Sequence, residues 1–350
     1  MLLGNLKLLS KISLAAPWRF SRRTLKVTIV GAGGGIGQPL SVCLRALPGL
    51  KELALHDLAD MKGIATDLSH INKPGMVTSF SGEKQLEQAV SGADIVVVAA
   101  GMPRLPGMQR EQLMAANGQV AVKVATAVSA ACPGALLAFI TNPVNMIVPA
   151  AAEVLKANGN FDPRRLFGIT TLDVIRSQKF IGDYMNVSPE GVDIPVIGGH
   201  AGITILPLIS QCHPEFKGGP AEIQEMTHRI QEAGTEVVKA KAGKGSATLS
   251  MAVAGSHFVY ALRRGMQGDE GVIECSFVAS ELTDAPFFAS PLELGKDGIK
   301  RFLPLPEMSN AEQEALAQLI PILQGNAKEG IEFARKCLEE NAKVLPSALP

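Results

Sequence analysis

His200 is the strongest candidate for acid–base chemistry among the six histidines of the chain. It stands in the segment 198–202, GGHAG, directly after an apolar run at 192–197. Flanking glycines admit close approach by a ligand, and a histidine at a strand end can titrate near neutral pH. A lone loop histidine is usually structural. A carboxylate and arginines that converge on it would favour a general acid–base role instead.

Asp173 and Arg176 are candidates for those partners. They stand three residues apart at the start of a helix predicted at 173–185, so they share one face of that helix. The same spacing is found in plain surface ion pairs. In the functional interpretation, Arg176 binds a carboxylate of the substrate, and Asp173 reaches His200 from another segment of the chain.

Arg104 and Arg110 lie in a loop rich in proline and glycine that follows the strand predicted at 94–100. Loop arginines are commonly solvated, but a loop at the end of a sheet strand can close over a ligand. Two guanidinium groups suit a small anion with more than one carboxylate. Asn142, which follows the strand predicted at 135–141, is either a turn residue before Pro143 or an amide that orients substrate or nicotinamide.

The glycine-rich segment 31–37 follows an apolar strand at 25–30 and precedes apolar residues at helical spacing. Such a turn lets backbone N–H groups at a helix N-terminus face a pyrophosphate. Asp57 closes the strand predicted at 53–56, where a carboxylate can bind ribose hydroxyls and repel a 2′-phosphate. The pattern therefore predicts a site for NAD rather than NADP, although Ile36 breaks the strict G-x-G-x-x-G spacing.

The elements that position these residues form two domains. From 24 to 168 strands and helices alternate, which predicts an NAD-binding domain with a Rossmann-type doubly wound parallel sheet, and an α+β catalytic domain is expected at 169–350. The predicted strands are 25–30, 53–56, 76–80, 94–100, 135–141, 192–197, 272–279 and 298–303. The predicted helices are 36–47, 83–90, 111–131, 173–185, 220–242, 246–265 and 309–343. A capping box of Ser309 and Glu312 begins the last helix, and Pro321 and Gly325 predict a bend or a break in it.

Composition excludes several classes of protein. Lys plus Arg equals Asp plus Glu, at 33 each, so no overall field attracts nucleic acid or an anionic membrane. Five scattered cysteines without a C-x-x-C motif argue against a disulfide framework or a structural metal site. No apolar run is long enough for membrane insertion. Residues 1–23 are basic, carry no acidic residue and have leucines on one helical face, which predicts a mitochondrial transit peptide; the alternative is a solvated tail on a cytoplasmic protein.

Seven segments between residues 25 and about 335 closely resemble, in order, the lactate/malate dehydrogenase family, and within it the NAD-dependent malate dehydrogenases of the mitochondrial and bacterial type. The segments are GAGGGIGQPLS, DLSHI, GMPRLPGMQR, ITNPVN, GITTLDVIRS, PVIGGHAGITILPL and KGSATLSM. The resemblance implies a homodimer, with the DLSHI helix at 67–71 in its interface. Gly33 departs from the pattern, because the family commonly has alanine there.

The resemblance also implies a role for each candidate residue. Arg104 would bind the second carboxylate of malate or oxaloacetate, Arg110 would polarise the reacting oxygen, and Arg176 would bind the carboxylate common to all 2-hydroxy acids. His200 and Asp173 would form a proton relay. The implied cofactor contacts, of which Asn142 also touches the substrate, are Gly31, Ala32, Gly33, Gly34, Gly35, Ile36, Gly37, Asp57, Asn117, Ile140, Thr141, Asn142 and Met251.

The sequence hypothesis is reversible oxidation of (S)-malate to oxaloacetate by hydride transfer to NAD in the mitochondrial matrix. One alternative is a lactate dehydrogenase or another 2-hydroxy acid dehydrogenase, against which Arg104 argues because its charge would then face a methyl group. The other alternative is a non-catalytic NAD-binding scaffold. The intact set of His200, Asp173 and three arginines argues against that.

Overall fold

The structure, a computed structural model, describes residues 24–102 and 110–344. Strands and helices alternate through the first half of the chain. The elements there are β1 (Leu25–Val30), α1 (Gly37–Arg45), β2 (Leu50–Asp57), α2 (Lys62–Ser69), β3 (Met76–Ser81), α3 (Leu86–Val90), β4 (Ile95–Val98), α4 (Arg110–Ala131), β5 (Leu136–Phe139), α5 (Val144–Ala157) and β6 (Leu166–Ile169).

Longer helices and antiparallel strands make up the second half. Its elements are α6 (Thr171–Met185), β7 (Val196–Gly198), β8 (Ile205–Pro207), α7 (Pro220–Ala240), α8 (Leu249–Met266), β9 (Ile273–Ala279), β10 (Phe287–Gly295), β11 (Gly298–Phe302) and α9 (Asn310–Val344).

All eleven strands of the described residues belong to one sheet. Its first six strands are parallel and follow the order β3-β2-β1-β4-β5-β6. This is the doubly wound order that the sequence predicts. Strand β9 joins β6 in antiparallel pairing, and β10, β7 and β8 follow, with β11 beside β10. The strand order reverses between β1 and β4, and a ligand crevice is expected there, at the carboxyl ends of the strands.

Strand β4 explains how the two faces of the sheet are covered. All four of its residues are fully buried. Ile95 and Val97 contact the apolar cluster that includes α1 and α8, whereas Val96 and Val98 contact the cluster that includes α4 and α5. A strand that is apolar on both faces is typical of a parallel sheet between two helical layers.

Most predicted elements are confirmed, with boundaries that shift by a few residues. The predictions omitted α5, β6, β8 and β10, and of α2 they included only the segment at 67–71 that the family resemblance implied. The capping box is present: the Ser309 N–H donates to Glu312 Oε2 at 2.8 Å, and the Glu312 N–H donates to Ser309 Oγ at 3.4 Å. The predicted break at Pro321 is wrong, because α9 runs without interruption for 35 residues. In the part of the chain that the structure describes, no helix has the length and apolar character needed to cross a membrane.

Candidate active site

The turn between β1 and α1 is shaped by close backbone packing. Gly31 has a φ of +89°, and a Cβ on it would overlap the backbone of Ala100. A Cβ on Gly37 would overlap the carbonyl oxygen of Gly31. Gly34 and Gly35 are exposed on the open side of the same turn, at the N-terminus of α1. The turn therefore presents bare backbone at a helix N-terminus, which fits the pyrophosphate of a dinucleotide.

Asp57 lies against this turn at the end of β2. Its Oδ2 accepts a hydrogen bond from the Gly33 N–H at 2.9 Å, and its Oδ1 accepts one from the Ala59 N–H at 3.2 Å. A Cβ on Gly33 would lie 3.2 Å from that Oδ2 and 3.3 Å from Met61 Cε. Gly33 therefore leaves the carboxylate room beside the turn, where a ribose hydroxyl is expected.

Asn117 joins the loops that follow β4 and β5. It is buried on α4, and its Oδ1 accepts a hydrogen bond from the Met102 N–H at 2.7 Å. Its Nδ2 donates to the carbonyl oxygens of Asn142 at 2.7 Å and of Met102 at 3.1 Å. Thr141 Oγ1 donates to the Ala100 carbonyl at 2.7 Å. These bonds fix the backbone at the crevice and leave the Asn142 side chain exposed.

Three of the cofactor candidates are core residues: Ala32, Ile140 and Met251. Ile140 is 2% exposed and Met251 is 5% exposed, and both belong to the apolar cluster between the sheet and α8. A Cβ on Gly255 of α8 would lie 3.0 Å from Ile140 Cδ1, so α8 packs closely beneath the end of β5. Any contact of these two side chains with a cofactor would be apolar.

His200 and Asp173 meet as the sequence predicts. Asp173 is on the first turn of α6 and His200 follows β7, and the distance between His200 Nδ1 and Asp173 Oδ2 is 2.5 Å. Their side chains are 11% and 1% exposed. A carboxylate that accepts from Nδ1–H fixes the tautomer and the ring orientation. Nε2 is then the atom that can take up or release a proton.

Arg176 shares the buried carboxylate of Asp173. Its Nη1 lies 4.0 Å from Asp173 Oδ1, a buried oxygen that has no hydrogen-bond partner among the described residues. Burial lowers the pKa of Arg176, and the charges of Asp173 and Glu236 oppose that shift. Arginine remains cationic in proteins. A second anion, such as a substrate carboxylate, would therefore find a largely desolvated positive charge beside His200.

Two predicted substrate residues are not placed. Arg104 lies outside the described residues, and Arg110 is the first residue of α4, with a side chain outside the described set. The structure brings His200 together with Asp173 and Arg176, as predicted. It also joins two of the cofactor candidates, because Asn117 Nδ2 donates to the backbone oxygen of Asn142.

The sequence analysis missed Asn145, which lies one helical turn after Asn142. Its Oδ1 accepts a hydrogen bond from the backbone N–H of His200 at 2.9 Å. The i,i+3 spacing within ITNPVN was the available signal, but α5 had not been predicted, so nothing placed Asn142 and Asn145 on successive turns.

Comparisons with known proteins agree with this arrangement. The profile of the lactate/malate dehydrogenase NAD binding domain matches residues 25–168, and that of the lactate/malate dehydrogenase alpha/beta C-terminal domain matches residues 170–334. The mitochondrial malate dehydrogenase of Bos taurus is 47% identical over 315 residues, which cover 90% of this chain and 93% of that protein. The mitochondrial malate dehydrogenase of Citrullus lanatus is 48% identical over 309 residues, or 88% of this chain and 89% of that protein.

Solved structures show the same fold. The malate dehydrogenase of Aeropyrum pernix superposes with a TM-score of 0.76 at 25% identity and covers 86% of this chain and 97% of its own. The malate dehydrogenase of Picrophilus torridus gives a TM-score of 0.77 at 24% identity over 90% of this chain and 99% of its own.

Proposed function

The chain belongs to the lactate/malate dehydrogenase family, and from that premise we propose that it catalyses the reversible, NAD-dependent oxidation of (S)-malate to oxaloacetate. The family match confirms the resemblance inferred from the seven sequence segments. It also confirms NAD as the cofactor, because the matched N-terminal domain is an NAD binding domain. The observation that carries the proposal is the 2.5 Å contact of His200 with Asp173, next to the buried cation of Arg176. The glycine turn and Asp57 would hold the NAD.

The proton transfer belongs to His200. In malate oxidation, neutral His200 takes the hydroxyl proton at Nε2. A bound NAD would supply the acceptor for the hydride that leaves the carbon bearing this hydroxyl. Asp173 stabilises the imidazolium that results. In the reverse direction, protonated His200 returns the proton to the oxygen of oxaloacetate. The pair therefore binds oxaloacetate most productively when His200 is charged.

Orientation of the substrate belongs to the arginines and to Asn142. Arg176 would bind the C1 carboxylate in bidentate fashion, which places the reacting carbon beside His200. Arg110 would polarise the reacting oxygen, and Arg104 would neutralise the second carboxylate. Asn142, exposed at the end of β5, would contact both substrate and nicotinamide.

The decisive experiment compares oxaloacetate with pyruvate, which lacks the second carboxylate. Truncating one partner of a buried charge pair costs about 2–5 kcal/mol, or roughly 30- to several-thousand-fold in kcat/KM. Arg104→Gln should lose that factor on oxaloacetate while pyruvate turnover holds or rises, and Arg110→Gln should lower both. The measurement is kcat/KM with NADH for each substrate and variant.

Each outcome of that comparison separates the hypotheses. Equal losses on both substrates in Arg104→Gln would remove Arg104 as the residue that selects the dicarboxylate. A parent enzyme that prefers pyruvate would favour the lactate dehydrogenase alternative. A parent that oxidises NADH with neither substrate would favour the scaffold.

The biological unit is proposed to be a homodimer. Exposed apolar side chains support this: Leu249 and Val253 on α8 are 71% and 54% exposed, and Val42 on α1 is 56% exposed. Helix α1 contacts both α8 and α2, the helix that contains most of the DLSHI segment. Sedimentation velocity that gave the mass of a single chain would contradict the proposal.

The similar proteins from Bos taurus and Citrullus lanatus are mitochondrial, which indicates a mitochondrial location. We place the chain in the matrix, with residues 1–23, which lie outside the described residues, as a transit peptide. Residues 24–168 and 169–350 are proposed as the NAD-binding and catalytic domains. N-terminal sequencing of the organellar protein should find a start near residue 23 or 24, and a cytosolic chain that begins at Met1 would refute this.

A further inference from the structure

His200 forms hydrogen bonds through both its ring and its backbone, and only the bond of the ring belongs to the acid–base pair. Asp173 fixes the imidazole ring, whereas the backbone of the same residue donates its N–H to Asn145 Oδ1 at 2.9 Å. Asn145 is 2% exposed, so this bond is shielded from water. A side chain bound at its ring and at its backbone has both its position and its direction determined.

The amide of Asn145 is bound on its other side as well. Its Nδ2 donates to Thr204 Oγ1 at 3.2 Å and to Asn326 Oδ1 at 3.4 Å. Thr204 Oγ1 in turn accepts from the Ala201 N–H at 3.1 Å and donates to the Ala201 carbonyl at 2.7 Å. One buried amide therefore connects the loop of His200 with α5 and with the C-terminal helix α9.

The two glycines that precede His200 leave room for Asn145 and for the carbonyl of Thr204. A Cβ on Gly199 would lie 2.8 Å from both amide atoms of Asn145 and 2.8 Å from Leu323 Cδ2. Gly198 has a φ of +97°, and a Cβ on it would overlap the Thr204 carbonyl. The loop can reach Asn145 only because neither residue carries a side chain.

The segment 142–145 contains one asparagine on the substrate side of the site and one beneath the loop of His200. Asn142 is exposed at the crevice, and Asn145 is buried under the catalytic loop one turn later. Asn142 directly precedes Pro143 at the start of α5, and Asn145 is in the first turn of that helix, so the residue proposed to orient the substrate and the residue that binds the His200 backbone are three positions apart.

We propose that Asn145 is a positioning residue for the proton-transfer step: it holds the His200 backbone at a fixed distance from the substrate that Asn142 and Arg176 orient. The inference rests on the proposed function. A misplacement of about 1 Å lowers a rate by about 10²-fold, so loss of this bond should lower kcat far more than it changes cofactor binding.

The test compares two substitutions at Asn145 with a matched control. Asn145→Leu keeps the branched shape of the side chain, with larger end groups, and removes every hydrogen bond, whereas Asn145→Asp keeps the acceptor for the His200 N–H and loses both donors. Asn160→Leu is the control, because Asn160, just beyond the other end of α5, donates to Ser129 O at 3.1 Å and to Ser129 Oγ at 2.7 Å and is remote from His200 in the network. Should Asn145→Leu fail to fold, Asn145→Ser replaces it, because its hydroxyl is too short to reach the His200 N–H.

We expect kcat for oxaloacetate reduction to fall about 10²-fold in Asn145→Leu and less than about tenfold in Asn145→Asp, with NADH affinity by fluorescence unchanged in both. The pH range over which Asn145→Asp reduces oxaloacetate should extend to higher pH than that of the parent. The reaction in this direction needs protonated His200, and a nearby carboxylate favours the protonated form of the imidazole. Asn160→Leu should keep the parental kcat.

Parental kcat in Asn145→Leu or Asn145→Ser would overturn the inference, as would equal losses in the Leu and Asp variants, because the acceptor would then have no special part. Inactivity of the parent enzyme itself toward oxaloacetate would instead refute the proposed function. Parental activity together with unchanged Asn145 variants refutes only the positioning role.

Discussion

Two carboxylate–histidine pairs in the described part of the chain are formed from similar residues in different surroundings. Asp173 and His200 are 2.5 Å apart, with side chains 1% and 11% exposed. Glu274 on β9 and His257 on α8 are 3.8 Å apart, and their side chains are 16% and 60% exposed. The first distance is a hydrogen bond, and the second is too long for one. Residue type alone therefore does not distinguish a hydrogen-bonded pair from a separated one.

The two carboxyl groups also differ in what surrounds them. Asp173 lies at the N-terminus of α6, at the crevice, with Arg176 on its second oxygen. Glu274 lies within the sheet, where burial raises its pKa to about 7 and Arg264 offsets that shift only in part. A carboxyl group that stays neutral does not stabilise an imidazolium ion, and at 3.8 Å it does not fix the orientation of a histidine ring that is largely in solvent. Enclosure and alignment at the crevice are what make the Asp173 pair suited to catalysis.

The sharpest way to break this comparison is to neutralise each carboxylate. Asp173→Asn removes the charge that stabilises the imidazolium and replaces one acceptor oxygen with a donor, which favours the wrong histidine tautomer, so kcat should fall about 10²- to 10⁴-fold. Glu274→Gln should leave kcat unchanged. The measurement is steady-state oxidation of NADH by oxaloacetate at saturating substrate, with thermal unfolding as a check on folding. A comparable loss of kcat in both variants would show that the crevice does not distinguish the two pairs.

The same contrast shows why the fold could be predicted in part. Strands β1 and β4 were found because they are apolar and are bounded by clear turns. Helix α5 was missed because most of it is buried and Pro149 lies inside it, and pattern alone does not distinguish a buried apolar run from a strand. Strand β10 is buried along most of its length and contains Pro291, so neither alternation nor composition marked it as a strand.

The site was predictable where chemistry and spacing coincide. Glycines stand on both sides of His200 in the sequence. Asp173 and Arg176 are spaced so that they share one face of a helix. Asn145 acts through its amide on the backbone of a residue 55 positions away, and that contact is created by the fold alone. The Glu274 and His257 pair was not predicted for the same reason. Its members stand on different elements that only the packing of α8 on β9 brings together.

A smaller effect is expected from Glu274→Gln on stability. The carboxyl group has an ordinary pKa of 4.5 when unfolded and about 7 when folded. The unfolded state therefore binds fewer protons than the folded state between these values, and the stability of the parent falls as pH rises through that window. Glutamine is neutral throughout, so the variant should match the parent near pH 4 and exceed its free energy of unfolding by about 2–3 kcal/mol near pH 8.

Urea unfolding at a series of pH values measures this difference. Arg335→Gln is a suitable control, because its partner Glu153 forms an ion pair 2.7 Å long near the surface and should give a small difference between the two pH values. A constant gap between Glu274→Gln and the parent from pH 4 to pH 8 would mean that Glu274 is not kept neutral by burial.

The smallest effect should come from the histidine of the second pair. An attraction between Glu274 and His257 requires a charged carboxylate, yet burial raises the pKa of Glu274 to about 7, so this carboxyl group is neutral at lower pH. The two atoms are also 3.8 Å apart, and His257 is largely in solvent. His257→Gln should change the free energy of unfolding by less than about 0.5 kcal/mol at any pH. A double-mutant cycle with Glu274→Gln, measured by urea unfolding at three pH values, isolates the interaction; a coupling energy above about 1 kcal/mol near pH 7 would show that the second pair is bound much as the first one is.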